Sequence, residues 1–303
     1  MSAQTPSANR TVAFIGLGMM GSPMAARLAA AGYEVRGHDL SADALGALSS
    51  KGGTACAAPR EAAERASVLI AMLPNGRIVR DALLGTDGAA MALSPGALVI
   101  DMSSSGPFDT RSLGEELTAL GLRLIDAPVS GGVKRAIDGT LAIMAGGDAA
   151  DIERARPILE ALGKSIFVTG PLGSGHAMKA LNNFVSAAGL AAASEALIVG
   201  KAFGLAPETI VDILNVSTGR NNSTETKMKP FILSETFASG FSMALMAKDI
   251  RTAADLAQQL GQQASGIEAA TALWEQASQA MGKGADHTSI YAYLAQGTQP
   301  AAT

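Results

Sequence analysis

Two kinds of hydrophobic pattern divide this chain. In the first half, short apolar runs recur at intervals: Thr11–Ile15, Tyr33–His38, Ala66–Leu73 (stopped by Pro74), Ala97–Asp101, Leu122–Ile125, Thr140–Met144 and Ser165–Val168. Between them, apolar residues return every three or four positions, as on one face of a helix. Continuous apolar runs of this length fit strands covered on both faces. Their alternation with helices predicts an α/β fold, a doubly wound parallel sheet with helices on either side. Past Gly170-Pro171 the short runs stop. The remainder predicts helices over Ala177–Gly204, Pro207–Ser217, Met243–Leu260 and Ile267–Met281, with a short one over Ser289–Ala295. An all-α C-terminal domain therefore follows the sheet domain. The expected division is 11–171 and 172–296, linked by the long alanine-rich helix, with tails at 1–10 and 297–303.

Composition narrows the function. With 303 residues, 48% hydrophobic and 17% charged, the chain has enough material for two cores and is not a disordered sequence. A net charge of −4 and the lack of a basic run leave no electrostatic footprint for nucleic acid. The single cysteine, Cys56, excludes an intrachain disulfide and fits a reducing compartment. Met1 to Arg10 is polar and has no apolar core, so no secretory signal is expected there. Phe184 to Gly204 is broken by Glu195 and Lys201 and reads as too polar and too short to span a bilayer. These features predict a soluble cytoplasmic protein with no membrane or nucleic-acid partner.

The first strand runs directly into Gly16-Leu17-Gly18-Met19-Met20-Gly21, and a helix follows through Met24 and Leu28. Each glycine answers a physical need. Gly16 allows the tight turn, Gly18 lets a pyrophosphate approach the backbone, and Gly21 packs the helix against the strand. Amide N–H groups at the helix start, here those of Leu17, Met19 and Met20 with the glycines, then hold the anion. The second strand ends at Asp39, where an acidic residue would accept the ribose hydroxyls of a dinucleotide. A negative charge there, followed by Leu40 rather than a cation, predicts NAD in preference to NADP.

No metal site is expected, because His38, His176 and His287 lie far apart with no partners at ligand spacing. No serine sits in a GxSxG elbow. Two other stretches could carry chemistry. In Gly173-Ser174-Gly175-His176-Ala177-Met178-Lys179-Ala180-Leu181-Asn182-Asn183, glycines lead into a helix, and Lys179 and Asn183 share one helical face. Lysine can exchange the proton of a substrate hydroxyl near neutral pH when desolvation and a cationic nicotinamide favour its neutral form, with the asparagine holding the same hydroxyl. Taken alone, Lys179 reads equally as a surface lysine with its stem along the helix. Asp126-Ala127-Pro128-Val129-Ser130-Gly131-Gly132 follows a strand and offers a serine hydroxyl with two unencumbered N–H groups, a nest suited to a carboxylate. In isolation it is also a plain glycine turn.

Together, GLGMMGSPMA, DAPVSGG with GTLAIMAGG, GSGHAMKALNN and MAKD resemble the β-hydroxyacid dehydrogenase family, over about Thr11 to Ala295 and in consistent order. The resemblance implies a Rossmann-type domain, an all-helical domain joined by a long helix, and a homodimer or homotetramer. It implies that Lys179 is the catalytic lysine and Asn183 a substrate ligand, with Ser130, Gly131 and Gly132 binding the carboxylate. Leu73, Pro74 and Ser104 would line the cofactor, and Lys248 would reach its nicotinamide end. The implied reaction moves a hydride between NAD and a small β-hydroxy acid or its semialdehyde. Imine reductases share the architecture but generally lack a lysine at position 179, and a non-catalytic scaffold of this fold would be expected to lose it.

Two departures bear on the substrate. The 3-hydroxyisobutyrate dehydrogenases of the family carry tryptophan where this chain has Asn222, and small residues where it has Lys134 and Arg135. The stretch Ala136-Ile137-Asp138-Gly139-Thr140-Leu141 instead resembles tartronate semialdehyde reductases, which place a lysine at the position of Arg135. A polar substrate is expected, with Arg135 either a contact to it or a solvated charge.

Overall fold

The computed structural model describes residues 10–297. The expected tails fall almost wholly outside the described residues. Among the described residues, nine strands form one sheet: β1 Thr11–Ile15, β2 Glu34–His38, β3 Thr54–Ala55, β4 Val68–Ala71, β5 Leu98–Asp101, β6 Arg123–Asp126, β7 Val129–Ser130, β8 Leu141–Gly146 and β9 Gly163–Gly170. Their spatial order is β3-β2-β1-β4-β5-β6-β8-β7, with β9 also paired to β8. From β3 to β6 the strands are parallel. The order reverses direction between β1 and β4, the switch point beyond which open α/β sheets bind ligands.

Strand alternation divides the core. Val12, Phe14, Ile70 and Ile100 point to one face, packed against Met24 and Leu28 of the helix Gly21–Ala30 and Ile152 and Leu159 of the helix Ala149–Leu162. Ala13, Ile15, Leu69 and Val99 point to the other, against Val79, Leu83, Leu113 and Leu117. This is why those strands read as unbroken apolar runs.

The expected parallel, doubly covered sheet runs from β3 to β6. Beyond it, β8 runs antiparallel to β6 and β7 antiparallel to β8. On β9, Phe167 and Val168 are both 58% exposed. The reason is topological: β6 returns through the short β7 and a seven-residue helix, Gly132–Asp138, which provide no full crossover to a parallel neighbour.

The chain parts into two compact units between Lys179 and Ala180, inside the helix Ser174–Phe203. The second unit is helical, with Pro207–Val216, Asn222–Thr226, Met243–Gln259, Ser265–Met281 and Ile290–Gln296. Its core gathers Leu190, Leu197, Val211, Met228, Ile250, Trp274 and Ile290. The long helix corrects one expectation. It begins at Ser174, ahead of Phe184, and its 30 residues contain a window of mean hydropathy 1.4, so length and composition alone would let it cross a bilayer. Its Ala187, Leu190, Ala193 and Leu197 are instead packed in the core of the second unit.

Candidate active site

The glycine loop is shaped as its sequence requires. Gly16 has φ of +95°, and a Cβ there would lie 2.3 Å from the Met72 carbonyl oxygen. A Cβ on Gly21 would meet the Gly16 carbonyl oxygen at 1.9 Å. Both positions are therefore closed to side chains by the protein itself. Gly18 differs: nothing lies within 4 Å of its Cβ position. The protein tolerates a side chain there, so the space is clear for a ligand to approach the backbone. No side chain caps the helix that begins at Gly21; its Ser22 N–H donates to the Gly18 carbonyl at 3.0 Å and Pro23 has none, so an anion here would be met by the N–H groups of the loop before it. These features fit a pyrophosphate. Asp39 lies beside the loop, its carboxylate accepting the N–H of Leu17 at 2.6 Å and that of Ser41 at 2.8 Å. One carboxylate thus ties the loop after β1 to the end of β2.

Leu73 and Pro74 follow β4 on the same edge of the sheet, and the Leu73 N–H donates to Ser103 Oγ at 2.9 Å. Ser104, half-buried, follows β5. All the residues expected at the cofactor leave the carboxyl ends of parallel strands, except Lys248, which belongs to the second unit.

Ser130 ends β7, and Gly131 and Gly132 take φ of +133° and +70°. Both values lie in the region that favours glycine, and with no side chains of their own the two residues suit the approach of an anion to the loop. Lys179 comes to this loop: its Nζ donates to the Val129 carbonyl at 2.8 Å. Arg135 is exposed, and a Cβ on Gly131 would sit 2.4 Å from its Cδ, so the arginine stem lies over the nest. Asn222 is exposed at the first position of its helix.

Behind the loop is a polar group that the sequence did not reveal. Asp126, fully buried, accepts the N–H of Gly173 and of His176, each at 2.7 Å. Its carboxylate therefore holds the entry to the helix that carries Lys179. Burial raises its pKa, while His176 and the two amides pull it down. The Thr110 hydroxyl lies 2.9 Å from the Gly106 carbonyl and 2.8 Å from Nδ1 of His176. Nε2, buried without a hydrogen-bond partner, lies 3.8 Å from Asp101 Oδ2. Asp101 and Asp126 are far apart in sequence and could be linked only through the adjacency of β5 and β6.

In the second unit, Asn183 is 7% exposed, and its Nδ2 donates to Asp249 at 2.5 Å. The other oxygen of Asp249 pairs with Lys248 Nζ at 2.9 Å. Ser242 caps the helix that carries both residues by accepting the Leu245 N–H. Asp249 belongs to the MAKD stretch, yet sequence reasoning singled out only the lysine beside it.

Comparison with known proteins bears on the fold and the family. Residues 11–170 match the family described as the NAD binding domain of 6-phosphogluconate dehydrogenase, and residues 173–294 the family described as NAD-binding of NADP-dependent 3-hydroxyisobutyrate dehydrogenase. The chain is 39% identical to the 2-(hydroxymethyl)glutarate dehydrogenase of Eubacterium barkeri over 239 residues, 79% of each protein. It is 39% identical to the 3-sulfolactaldehyde reductase of Escherichia coli K12 over 249 residues, 82% of this chain and 84% of that one. Among solved structures, the 3-hydroxyisobutyrate dehydrogenase of Mycobacterium tuberculosis with L-serine superposes with a TM-score of 0.86 at 35% identity, covering 93% of this chain and 98% of that one.

Proposed function

The chain belongs to the β-hydroxyacid dehydrogenase family and is an NAD-dependent dehydrogenase of small hydroxy acids; within that class we propose a polar substrate and Lys179 as the group that moves the hydroxyl proton. The observation that carries this reading is the 2.8 Å bond from Lys179 Nζ to the Val129 carbonyl, which tethers the amine beside Ser130. The Ser130 hydroxyl and the N–H groups of Gly131 and Gly132 take the substrate carboxylate. That contact orients the substrate, and holding a reactive geometry supplies much of the rate. Lys179 accepts the hydroxyl proton in oxidation and returns it in reduction. Asn183 retains a second Nδ2 hydrogen beyond the one given to Asp249, and it holds the same hydroxyl.

NAD, when bound, takes or supplies the hydride. The loop of Gly16, Leu17, Gly18, Met19, Met20 and Gly21 takes its pyrophosphate, with the Leu17 N–H kept by Asp39 and the Gly16 N–H by the His38 carbonyl; Asp39 takes its ribose, and Leu73, Pro74 and Ser104 its flank. Lys248, fixed by Asp249, serves the nicotinamide end. The sheet domain is taken over 11–171 and the helical domain over 172–296, the two compact units themselves parting inside the linking helix, between Lys179 and Ala180. Met178, Leu181, Val185, Val199 and Phe203 form an exposed apolar stripe along the long helix, which supports a homodimer or homotetramer. A cytoplasmic location goes with this reading, supported by the single cysteine, Cys56.

A spectrophotometric screen for NADH formation tests the reading. Turnover of small β-hydroxy acids is expected, with glycerate, threonate or a hydroxy diacid ahead of 3-hydroxyisobutyrate. No turnover across the panel, in either direction, overturns it.

A further inference from the structure

Lys227 follows the helix Asn222–Thr226 and is half-buried. Its Nζ has a single hydrogen-bond contact, the Ser186 hydroxyl at 3.5 Å, and among the described residues no carboxylate pairs with it. Two positions on, the exposed Lys229 is paired with Asp212. The negative charge that acts on Lys227 is Asp286, whose oxygens are already committed to the Ser239 hydroxyl at 2.8 Å and the N–H groups of Gly240 and Thr288 at 2.8 and 2.9 Å. Burial pushes the Lys227 amine down to about 8, with Asp286 offsetting part of that. At neutral pH the group is still largely a cation. A lysine of this length ordinarily extends its head into water, and leaving it half-buried beside one weak partner is costly.

Its location gives the cost a purpose. Ser186 lies one turn beyond Asn183 on the same face of the long helix, a step of about 4.5 Å along the axis. A group a few methylenes beyond a hydroxyl held by Asn183 would come level with Ser186. We infer that Lys227, with Ser186, forms a subsite for a second carboxylate, so that the enzyme acts on dicarboxylic β-hydroxy acids. The assignment rests on the reading of Asn183 as a substrate ligand. It is independent of Arg135, which belongs to the first unit.

The test compares 2-(hydroxymethyl)glutarate with 3-hydroxyisobutyrate as substrates of the full-length enzyme. Wild type is expected to favour the diacid in kcat/KM. Lys227→Met and Lys227→Gln should lower the diacid-to-monoacid ratio about tenfold or more, through KM rather than kcat, and Lys227→Arg should restore most of it. A ratio that moves less than about twofold, or a wild type that favours the monoacid, overturns the inference. Calorimetry of glutarate and butyrate binding to the NADH complex separates the two readings. If wild type turns over neither acid, the proposed substrate class fails. In that case, glutarate binding that is lost in Lys227→Gln still supports the subsite, and equal or absent binding removes it. Should Lys227→Met fail to fold, the Gln and Arg variants carry the comparison.

Discussion

Each unit has a buried aspartate beside its proposed site residues, and the two are used differently. Asp126 is fully buried and accepts two main-chain N–H groups, those of Gly173 and His176. Asp249 is 2% exposed and accepts two side chains, Asn183 and Lys248. A carboxylate bonded to backbone fixes where an element begins, since the amides cannot move without the chain. A carboxylate bonded to side chains fixes which way they point, and the helices would remain in place without it. On this comparison the first unit positions the lysine by building the entry to its helix. The second orients Asn183 and Lys248 by pairing them with one carboxylate.

The largest effect should come from the residue that Asp126 positions. Lys179→Met keeps much of the apolar stem and removes the proton carrier, so kcat should fall by about 10²–10⁴-fold while NADH binding stays near wild type. Steady-state rates with a fluorescence titration check this, and a retained kcat would end the assignment.

Next is the contrast between the aspartates. Asp126→Ala leaves two buried amides unpaired, at about 1–3 kcal/mol each, and should lower Tm steeply. Asp249→Ala should lower Tm less and kcat/KM more, because the groups it releases are side chains that can turn. If thermal melts rank the two the other way, the distinction between position and orientation fails.

Asp39 holds two backbone N–H groups and is the residue proposed to take the cofactor's ribose. Asp39→Asn with Leu40→Arg should shift the NADP-to-NAD ratio of kcat/KM upward by about tenfold or more, since the charge that repels a 2′-phosphate is gone. An unchanged ratio would mean that Asp39 serves only to hold Leu17 and Ser41.

Smaller still is the effect at Arg135, whose stem covers Gly131. Arg135→Ala should reduce the preference for polar over methyl-bearing substrates several-fold, or about 1 kcal/mol. A substrate ranking that does not move would make Arg135 a solvated charge.

The smallest change concerns stability. Lys227 has a folded pKa of about 8, below its ordinary value of 10.5, so the fold disfavours its charged form. The penalty is fully present below pH 8 and is relieved as pH rises from 8 through 10.5. Lys227→Met should therefore raise Tm at pH 7, and the gain should shrink by pH 10. A lowered Tm at pH 7 would mark the lysine as a structural tie to Ser186.

Much of this was open to a reader of the sequence. The apolar runs located seven strands to within two or three residues, because buried parallel strands must be apolar on both faces. The helices at Pro207, Met243 and Ser265 were visible from their period. The two-residue strands Thr54–Ala55 and Val129–Ser130 were not, being too short to show alternation. The five-residue helix Asn222–Thr226 rests on its capping box, with Asn221 and Thr224 bonded reciprocally, rather than on any hydrophobic pattern. The π-helical stretch Met228–Leu233 contains Pro230, which has no N–H to continue a regular ladder.

The sequence by itself determined the glycine loop, the acid after β2, the lysine and asparagine one turn apart, and the Ser-Gly-Gly nest. Each of these is a local arrangement, set by neighbours along the chain and by backbone conformations that only certain residues adopt. Tertiary structure alone decided which buried carboxylate supports which element. Asp101, Asp126 and His176 meet because β5 and β6 are adjacent and the long helix begins at their ends. Asp249 meets Asn183, and Lys227 meets Ser186, because separate helices of the second unit pack together. Hydrogen bonds and ion pairs depend on distances in space, and residues tens of positions apart leave no periodic trace of them in the chain.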